Sequence, residues 1–333
     1  MSLILEKLSV KESNPVNKAQ GKPDTVEKKG SPLLVVNNLS VRFRMYEKGL
    51  KQRELEVISH LDVTIHKGEI LAVVGSSGSG KSLLAHAILG ILPANATMAG
   101  TLNYDEEPLT PKRQKKLRGH EIALVPQSVS YLDPLMRVDK QVRGEKGTQE
   151  QQRKVFERFA LKEEAGQKFP FQLSGGMARR VLVATAVLSD AKLIIADEPT
   201  PGLNPEIAEE TMRIFRELAD QGCGVMLITH DIDLALKYAD RIAVFYAGTT
   251  VEVTPVENFL QGGDALRHPY SRALWHALPQ NGFNPISGSQ PYAGSIHTGC
   301  RFAPRCEWIS GECAGEVPMR RVGDCEVRCV HAS

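Results

Sequence analysis

The chain is 333 residues long, more than one hydrophobic core usually organises, so a large domain with appendages is expected. Hydrophobic residues make up 42% and charged residues 24%, an ordinary globular composition that excludes wholesale disorder. Lys plus Arg (41) against Asp plus Glu (39) gives a net charge of +2, which leaves no footprint for nucleic acid; no apolar run reaches the roughly 18 residues of a transmembrane helix.

Residues 1–31 read as a disordered leader. Met1 to Leu5 is followed at once by Glu6 and Lys7, without the apolar core of a signal peptide. From Lys11 to Gly30 the chain is Lys, Glu, Asn, Gly, Pro and Ser. A chain without a signal peptide is expected in a reducing cytoplasm, where cysteines serve as thiols or metal ligands. Leu33 to Arg42 and Val57 to Ile65 predict strands of an antiparallel layer, the second with Val57, Ser59, Leu61, Val63 and Ile65 on one face. A polar loop around Lys48 to Glu54 joins them. Ile70 to Val74 is a short apolar run of the kind buried in parallel sheets. Further strands are expected at Ile122–Val125, Leu193–Ala196 and Val225–Thr229. A terminal hairpin is expected at Ile242–Tyr246 and Thr250–Val253, turning at Ala247 and Gly248. Helices are expected at Lys81–Leu89, Gln151–Phe159, Met177–Leu188, Ile207–Leu218 and Ile232–Tyr238. Pro108 to Arg118 is basic and assigned to the surface. Alternating strands and helices define an α/β fold. Cys223 stands alone before an apolar strand and reads as core packing or exposure.

Gly75-Ser76-Ser77-Gly78-Ser79-Gly80-Lys81-Ser82 fits G-x-x-x-x-G-K-[ST] between a buried strand and a helix. Its glycines let backbone N–H groups converge on phosphate oxygens, and the helix N-terminus adds positive potential. Lys81 would reach the β/γ-phosphates and Ser82 would bind Mg²⁺. Asp197 and Glu198 follow the apolar Leu193–Ala196, at the sheet edge where α/β proteins bind ligands. Asp197 suits Mg²⁺, and Glu198 suits activation of a water. Leu173-Ser174-Gly175-Gly176-Met177 opens a helix and offers a second anion cradle, economically explained if it serves a partner's nucleotide.

This ordered set resembles the ATP-binding-cassette (ABC) transporter ATPases over roughly residues 33–278. The family has a phosphate loop, a glutamine after a strand, an L-S-G-G segment, an Asp-Glu pair and a late histidine. Here they are Gly75 to Ser82, Gln127, Leu173 to Met177, Asp197-Glu198 and His230. The resemblance implies a RecA-like P-loop core with an antiparallel β subdomain and an α-helical signature subdomain. It implies ATP and Mg²⁺, with Mg²⁺ held by Ser82, Gln127 and Asp197. Glu198 would be the general base. Gln127 would sense metal and water and relay occupancy to the membrane subunit. His230 would hydrogen-bond the γ-phosphate and Glu198. Phe43 or Tyr46 would stack on adenine, and Ser174, Gly175 and Gly176 would complete a partner's site.

His268-Pro269-Tyr270-Ser271-Arg272-Ala273-Leu274 looks like the tail motif of ATPases in oligopeptide, dipeptide and nickel importers, and Gly299 to Cys306 looks like that group's cysteine tail. The expected division is a cassette at 32–262 and a C-terminal region at 263–333. The resemblance implies ATP-driven import of peptides, nickel or a metal chelate, on the cytoplasmic face of the inner membrane. It implies a second ATPase subunit, two membrane permeases and an extracytoplasmic binding protein. Four cysteines bind an iron–sulfur cluster in some members of this group; the corresponding positions are Cys300, Cys306, Cys313 and Cys329. Five residues separate Cys300 from Cys306 and six separate Cys306 from Cys313, wider than zinc knuckles. The segment has few apolar residues, so metal binding would supply folding energy. Zinc, with His297 and His331 as spare ligands, is the alternative to a 4Fe–4S cluster, and unligated thiols in a loose tail are a third reading.

Three departures from the family pattern stand out. Met177 replaces the final glutamine of the signature. Asn204 stands where many relatives have an aspartate, a loss of charge that fits a heterodimer of unequal ATPases. Tyr131-Leu132-Asp133-Pro134 replaces Ser-Leu-Asn-Pro. The competing readings are a soluble cassette ATPase of repair or translation and an ordinary P-loop kinase or GTPase. A single cassette with an importer-like tail opposes the first; L-S-G-G and the late histidine oppose the second.

Overall fold

The structure, a computed structural model, describes residues 30–46, 51–292 and 298–333. The expected leader up to residue 29, part of the loop near Lys48, and His297 lie outside the described residues.

Two sheets face each other. The first has β1 (Pro32–Tyr46), β2 (Gln52–His66), β4 (Ala96–Tyr104) and β5 (Glu107–Pro108), in the order β2-β1-β4-β5. The second is an eight-stranded sheet in the order β11 (Arg320–Val322), β12 (Cys325–Val327), β10 (Thr249–Pro255), β9 (Arg241–Tyr246), β3 (Ile70–Gly75), β8 (Gly224–Ile228), β7 (Leu193–Asp197), β6 (Ile122–Val125). Its parallel centre is β9, β3, β8, β7 and β6. The central strands read as unbroken apolar runs because both of their faces are covered. Leu71 and Val73 join one core with Leu33, Val36, Ile58 and Ile65 of the antiparallel layer. Ala72 and Val74 join the other, under the helices.

Those helices include α5 (Gly175–Val187) and α6 (Pro205–Asp220), which bury Val181, Leu182, Phe215 and Met212 against the sheet. Before them come α1 (Lys81–Leu89), α2 (Pro111–Leu117), α3 (Val138–Arg143) and α4 (Gln149–Arg158); after them comes α7 (Ile232–Tyr238). Thr148 starts α4 with a reciprocal capping box to Gln151. Among the described residues no helix is long and apolar enough to cross a membrane.

Three expectations need correction. The inward face of β2 does not run unbroken from Val57. His60 takes φ 50° and its ring meets Asn38, itself at φ 51°. The register slips between Leu39↔Leu61 and Val41↔Ile58, so Ile58 is buried in place of Val57. The basic stretch at Pro108–Arg118 is not wholly superficial. It forms α2, and Gln114 is buried, donating to the carbonyls of Ala87 and Ile88 at the end of α1. The hairpin of β9 and β10 (Thr249–Pro255) is not the sheet's edge, because β12 (Cys325–Val327) pairs with β10 and β11 (Arg320–Val322) pairs with β12.

The C-terminal region therefore continues the cassette's sheet through β12, and its own apolar cluster is small: Val322, Val327, Cys329 and Ala332. After α8 (Val256–Gln261) and α9 (Pro269–His276), Phe302 inserts among Tyr246, Tyr270 and His268, with ring centroids 5.3, 5.5 and 5.8 Å away. Phe302, Cys300 and Cys306 pack on the cassette's core. That removes the argument that metal must supply its folding energy, and it is not a loose tail.

Candidate active site

Gly75 ends β3 at φ 149°, and a Cβ there would lie 2.2 Å from the Phe245 carbonyl oxygen. Gly78 and Gly80 carry the loop through φ 76° and 97°, conformations that favour glycine. Lys81 opens α1, and its Nζ donates to the carbonyls of Gly75 (2.7 Å) and Ser76 (3.0 Å). Burial lowers the Lys81 ammonium pKa, while Glu198 and Asp197 oppose that shift. Ser82 lies beside the Asp197 carboxylate, which burial holds above the usual carboxylate range. Ser79 Oγ and Asp197 Oδ1 are buried without a hydrogen-bond partner. A buried donor-acceptor hydroxyl and a buried carboxylate oxygen, both unsatisfied beside a lysine, fit a polyphosphate and a hard, oxygen-seeking cation.

Glu198 follows at φ 49°, a backbone conformation costly for a non-glycine residue and frequent at active sites. Its N–H donates to the Ile228 carbonyl (2.9 Å), which seats it beside the end of β8. Its Oε2 lies 2.8 Å from His230 Nδ1. The Glu198 side chain is 11% exposed and the His230 ring 71%, so a buried carboxylate meets an imidazole open to solvent. Asp231 caps α7 by accepting from the Leu234 N–H (2.9 Å), which fixes the turn that carries His230. Arg179, buried on α5, donates to the Pro126 carbonyl (2.7 Å) and sends its charge toward Asp197 and Glu198. It thereby fixes the residue before Gln127, a role its place in the sequence did not reveal. Gln127 is exposed just past β6.

The phosphate loop, Asp197, Glu198 and His230 converge at the carboxyl ends of β3, β7 and β8. The L-S-G-G segment is an exposed helix start instead. Ser174 caps α5, accepting from the Met177 N–H (3.3 Å), and nothing lies within 4 Å of a Cβ placed on Gly175. Asn204 caps α6, accepting from the Ile207 N–H (3.2 Å), so the amide keeps a cap that aspartate would also provide. Phe43 packs on the antiparallel core, whereas Tyr46 is 68% exposed. Cys223 is buried, and burial pushes its thiol up to about 12, an inert core cysteine.

The tail cysteines divide. Cys300 and Cys306 each feel the charges of Cys313 and Cys329, so these four share one neighbourhood. Cys325 turns away, toward Thr254 and Asn258. Cys313 Sγ lies 3.8 Å from His331 Nε2. Among the described residues no three His, Cys, Asp or Glu groups stand in a metal-binding arrangement. The donor types suit iron–sulfur or zinc, but the arrangement does not.

The His-Pro-Tyr motif has a local explanation. Burial pushes His268 down to about 3, and the neutral ring accepts the Tyr270 N–H at Nδ1 (3.0 Å), capping α9. Buried Glu252 accepts the N–H groups of Arg267 and His268, both at 2.9 Å. Tyr270 is thus aimed beneath Tyr246, 4.5 Å between centroids.

A strand-loop-helix phosphate cradle with two acids across a parallel sheet defines a P-loop nucleoside triphosphatase. Comparison with known proteins narrows it. The family model "ABC transporter" matches residues 58–201, and "Oligopeptide/dipeptide transporter, C-terminal region" matches residues 251–313. A candidate peptide import ATP-binding protein of Brucella abortus (strain 2308) is 34% identical, covering 92% of this chain and 96% of its own. The oligopeptide transport ATP-binding protein AppD of Bacillus subtilis (strain 168) is 32% identical, covering 85% and 91%. The peptide transport system ATP-binding protein SapD of Salmonella typhimurium (strain LT2) is 32% identical, covering 85% and 92%. A dimeric bacterial ABC transporter cassette superposes with TM-score 0.59 at 25% identity, covering 67% of this chain and 99% of that one. The chain belongs to the ABC transporter ATPase family, and its activity is ATP hydrolysis coupled to transport. It carries that family's oligopeptide/dipeptide C-terminal region.

Proposed function

We propose that this chain is the ATP-hydrolysing subunit of a peptide importer, bound peripherally on the cytoplasmic side to two permeases fed by an extracytoplasmic binding protein. The observation that carries the substrate class is the pairing of a cassette with an oligopeptide/dipeptide C-terminal region, in relatives named for peptide transport. Nickel and metal chelates remain competing cargo. The division into a cassette (32–262) and a C-terminal region (263–333) is part of this reading, as is a second, non-identical ATPase partner, which Asn204 favours.

The geometry supports the following residue roles. The loop from Gly75 to Ser82 binds the triphosphate, with Lys81 already turned to the loop's start. Mg²⁺, when bound, neutralises phosphate charge; Ser82 and Asp197 would hold it, and Gln127 would join them. Glu198 takes the proton of the attacking water, and His230 orients that carboxylate through the 2.8 Å contact. Tyr46, the more exposed aromatic, stacks on adenine. Ser174, Gly175 and Gly176 present an open helix start to a partner's γ-phosphate.

Cys300, Cys306, Cys313 and Cys329 are proposed as a structural iron–sulfur site on donor type alone; binding would have to draw the four thiols together from the places they hold here, and no step of hydrolysis passes through it. The complex, reconstituted in liposomes with its permeases and binding protein, tests the cargo. Peptide-stimulated ATP hydrolysis and peptide uptake are expected, and stimulation by nickel alone would replace peptide as the substrate.

A further inference from the structure

The second residue of the phosphate loop is gripped from the far end of the chain. Ser76 Oγ donates to the side-chain oxygen of Gln290 at 2.5 Å. That same oxygen accepts the Ala247 N–H at 3.2 Å. The Tyr270 hydroxyl lies beside Ser76. Both Tyr270 and Gln290 lie beyond the cassette, and 214 positions separate Gln290 from Ser76.

Ser76 is the residue on which the loop's shape turns. Its carbonyl receives Lys81 Nζ (3.0 Å) and the Ser79 N–H (3.2 Å). Moving Ser76 therefore moves the lysine and the closing turn together. The other wall of the loop is the Ala247–Gly248 turn. The Gly248 N–H donates to the Ser79 carbonyl (3.1 Å), and the Gly248 carbonyl accepts the Ser59 N–H (2.9 Å). A Cβ on Gly248 would lie 1.9 Å from the Val57 carbonyl oxygen, so the turn is wedged in place. The tail holds this turn twice, because the buried Arg301 guanidinium donates to the Ala247 carbonyl while Gln290 takes the Ala247 N–H. One amide oxygen thus ties the start of the loop to the turn behind it.

We infer that Gln290 is a positioning residue of the ATP site, through which the docked C-terminal segment holds the phosphate loop in its nucleotide-binding shape. The inference rests on the reading of Gly75 to Ser82 as the ATP site. Gln290 touches no phosphate; it acts through Ser76 and Ala247. Since the loop and the segment share these bonds, coupling runs both ways. Nucleotide that orders the loop also tightens the segment that carries Gln290.

The test uses the full chain and a fluorescent ATP analogue. Gln290→Met keeps the side chain's length and removes its acceptor. Its nucleotide affinity should fall about five- to tenfold, the effect of one or two net hydrogen bonds. In the assembled transporter KM for ATP should rise by the same factor with kcat unchanged, since the acceptor is lost equally from ground and transition states. In unmodified protein, Mg²⁺ with nucleotide should slow backbone hydrogen exchange over residues 286–292. That measurement stands even if the variant folds poorly. Affinity equal to or tighter than that of unmodified protein, or no nucleotide-dependent protection of 286–292, overturns the inference. Lys81→Ala separates the two levels. If it too binds nucleotide normally, the ATP-site reading itself has failed; if it loses binding while Gln290→Met does not, only the role of Gln290 falls.

Discussion

The Glu69–Arg241 pair ties the two layers together, and breaking it has a calculable cost. Glu69 follows the turn after β2, and Arg241 begins β9. Arg241 Nε donates to Glu69 Oε1 at 2.5 Å, and Nη2 donates to Oε2 at 3.1 Å and to the Thr64 carbonyl at 2.7 Å. The His66 N–H donates to Oε2 at 2.7 Å. The two side chains are 5% and 8% exposed. Burial alone would raise the Glu69 carboxyl, but His66 and Arg241 outweigh it and bring it from 4.5 to about 2. At about 1.4 kcal/mol per pH unit, that depression is worth about 3 kcal/mol. Because the folded pKa is the lower one, this stability is fully present above about pH 4.5 and is lost as pH falls toward about 2. Glu69→Gln leaves the buried guanidinium without a counter-charge, and about 3–5 kcal/mol should be lost near neutral pH. Urea unfolding of both proteins at several pH values checks this. The variant should start lower and show less acid sensitivity between about pH 4.5 and 2. Equal stability near neutrality, or identical acid profiles, would refute the reasoning.

Three further outcomes follow from the site. Gly75→Ala puts a Cβ 2.2 Å from the Phe245 carbonyl at a φ that disfavours side chains; equilibrium dialysis should show ATP binding lost. Ser174→Arg should abolish the activity gained on mixing with a companion ATPase subunit while nucleotide binding to the isolated chain is retained; unchanged stimulation would remove the shared-site reading. Anaerobically purified protein should be brown and contain iron and sulfide, with Cys306→Ser colourless but still binding nucleotide. Stoichiometric zinc in colourless wild-type protein would put zinc there instead, and absence of both metals would leave free thiols.

The parts legible from sequence were those whose burial or chemistry is local. β3, β7 and β8 are covered on both faces, so their apolar runs mark them. The phosphate loop and Asp197-Glu198 are marked by residue type at fixed spacing. β4 escaped notice because Thr97 to Thr101 are exposed, leaving no alternation to read. The slip at His60 escaped because a left-handed histidine held by Asn38 has no pattern of its own. Gln290 is one polar residue in a Gly-, Ser- and Pro-rich stretch, and only the docking of Phe302 and Tyr270 brings it to Ser76. Arg179 was hidden for a related reason: a charged residue on an apolar helix gives no sign that it faces the carbonyl before Gln127 and the two acids.

If ATP is hydrolysed at this site, Glu198 is its base. The most direct measurement is phosphate release from ATP by the assembled transporter, made with wild-type chain and with Glu198→Gln, alongside ATP binding to each. The variant should bind ATP and remain in a closed, ATP-bound dimer. Turnover at the site formed by this chain should fall by at least about 10²-fold. Turnover at that site equal to wild type would contradict Glu198 as the base.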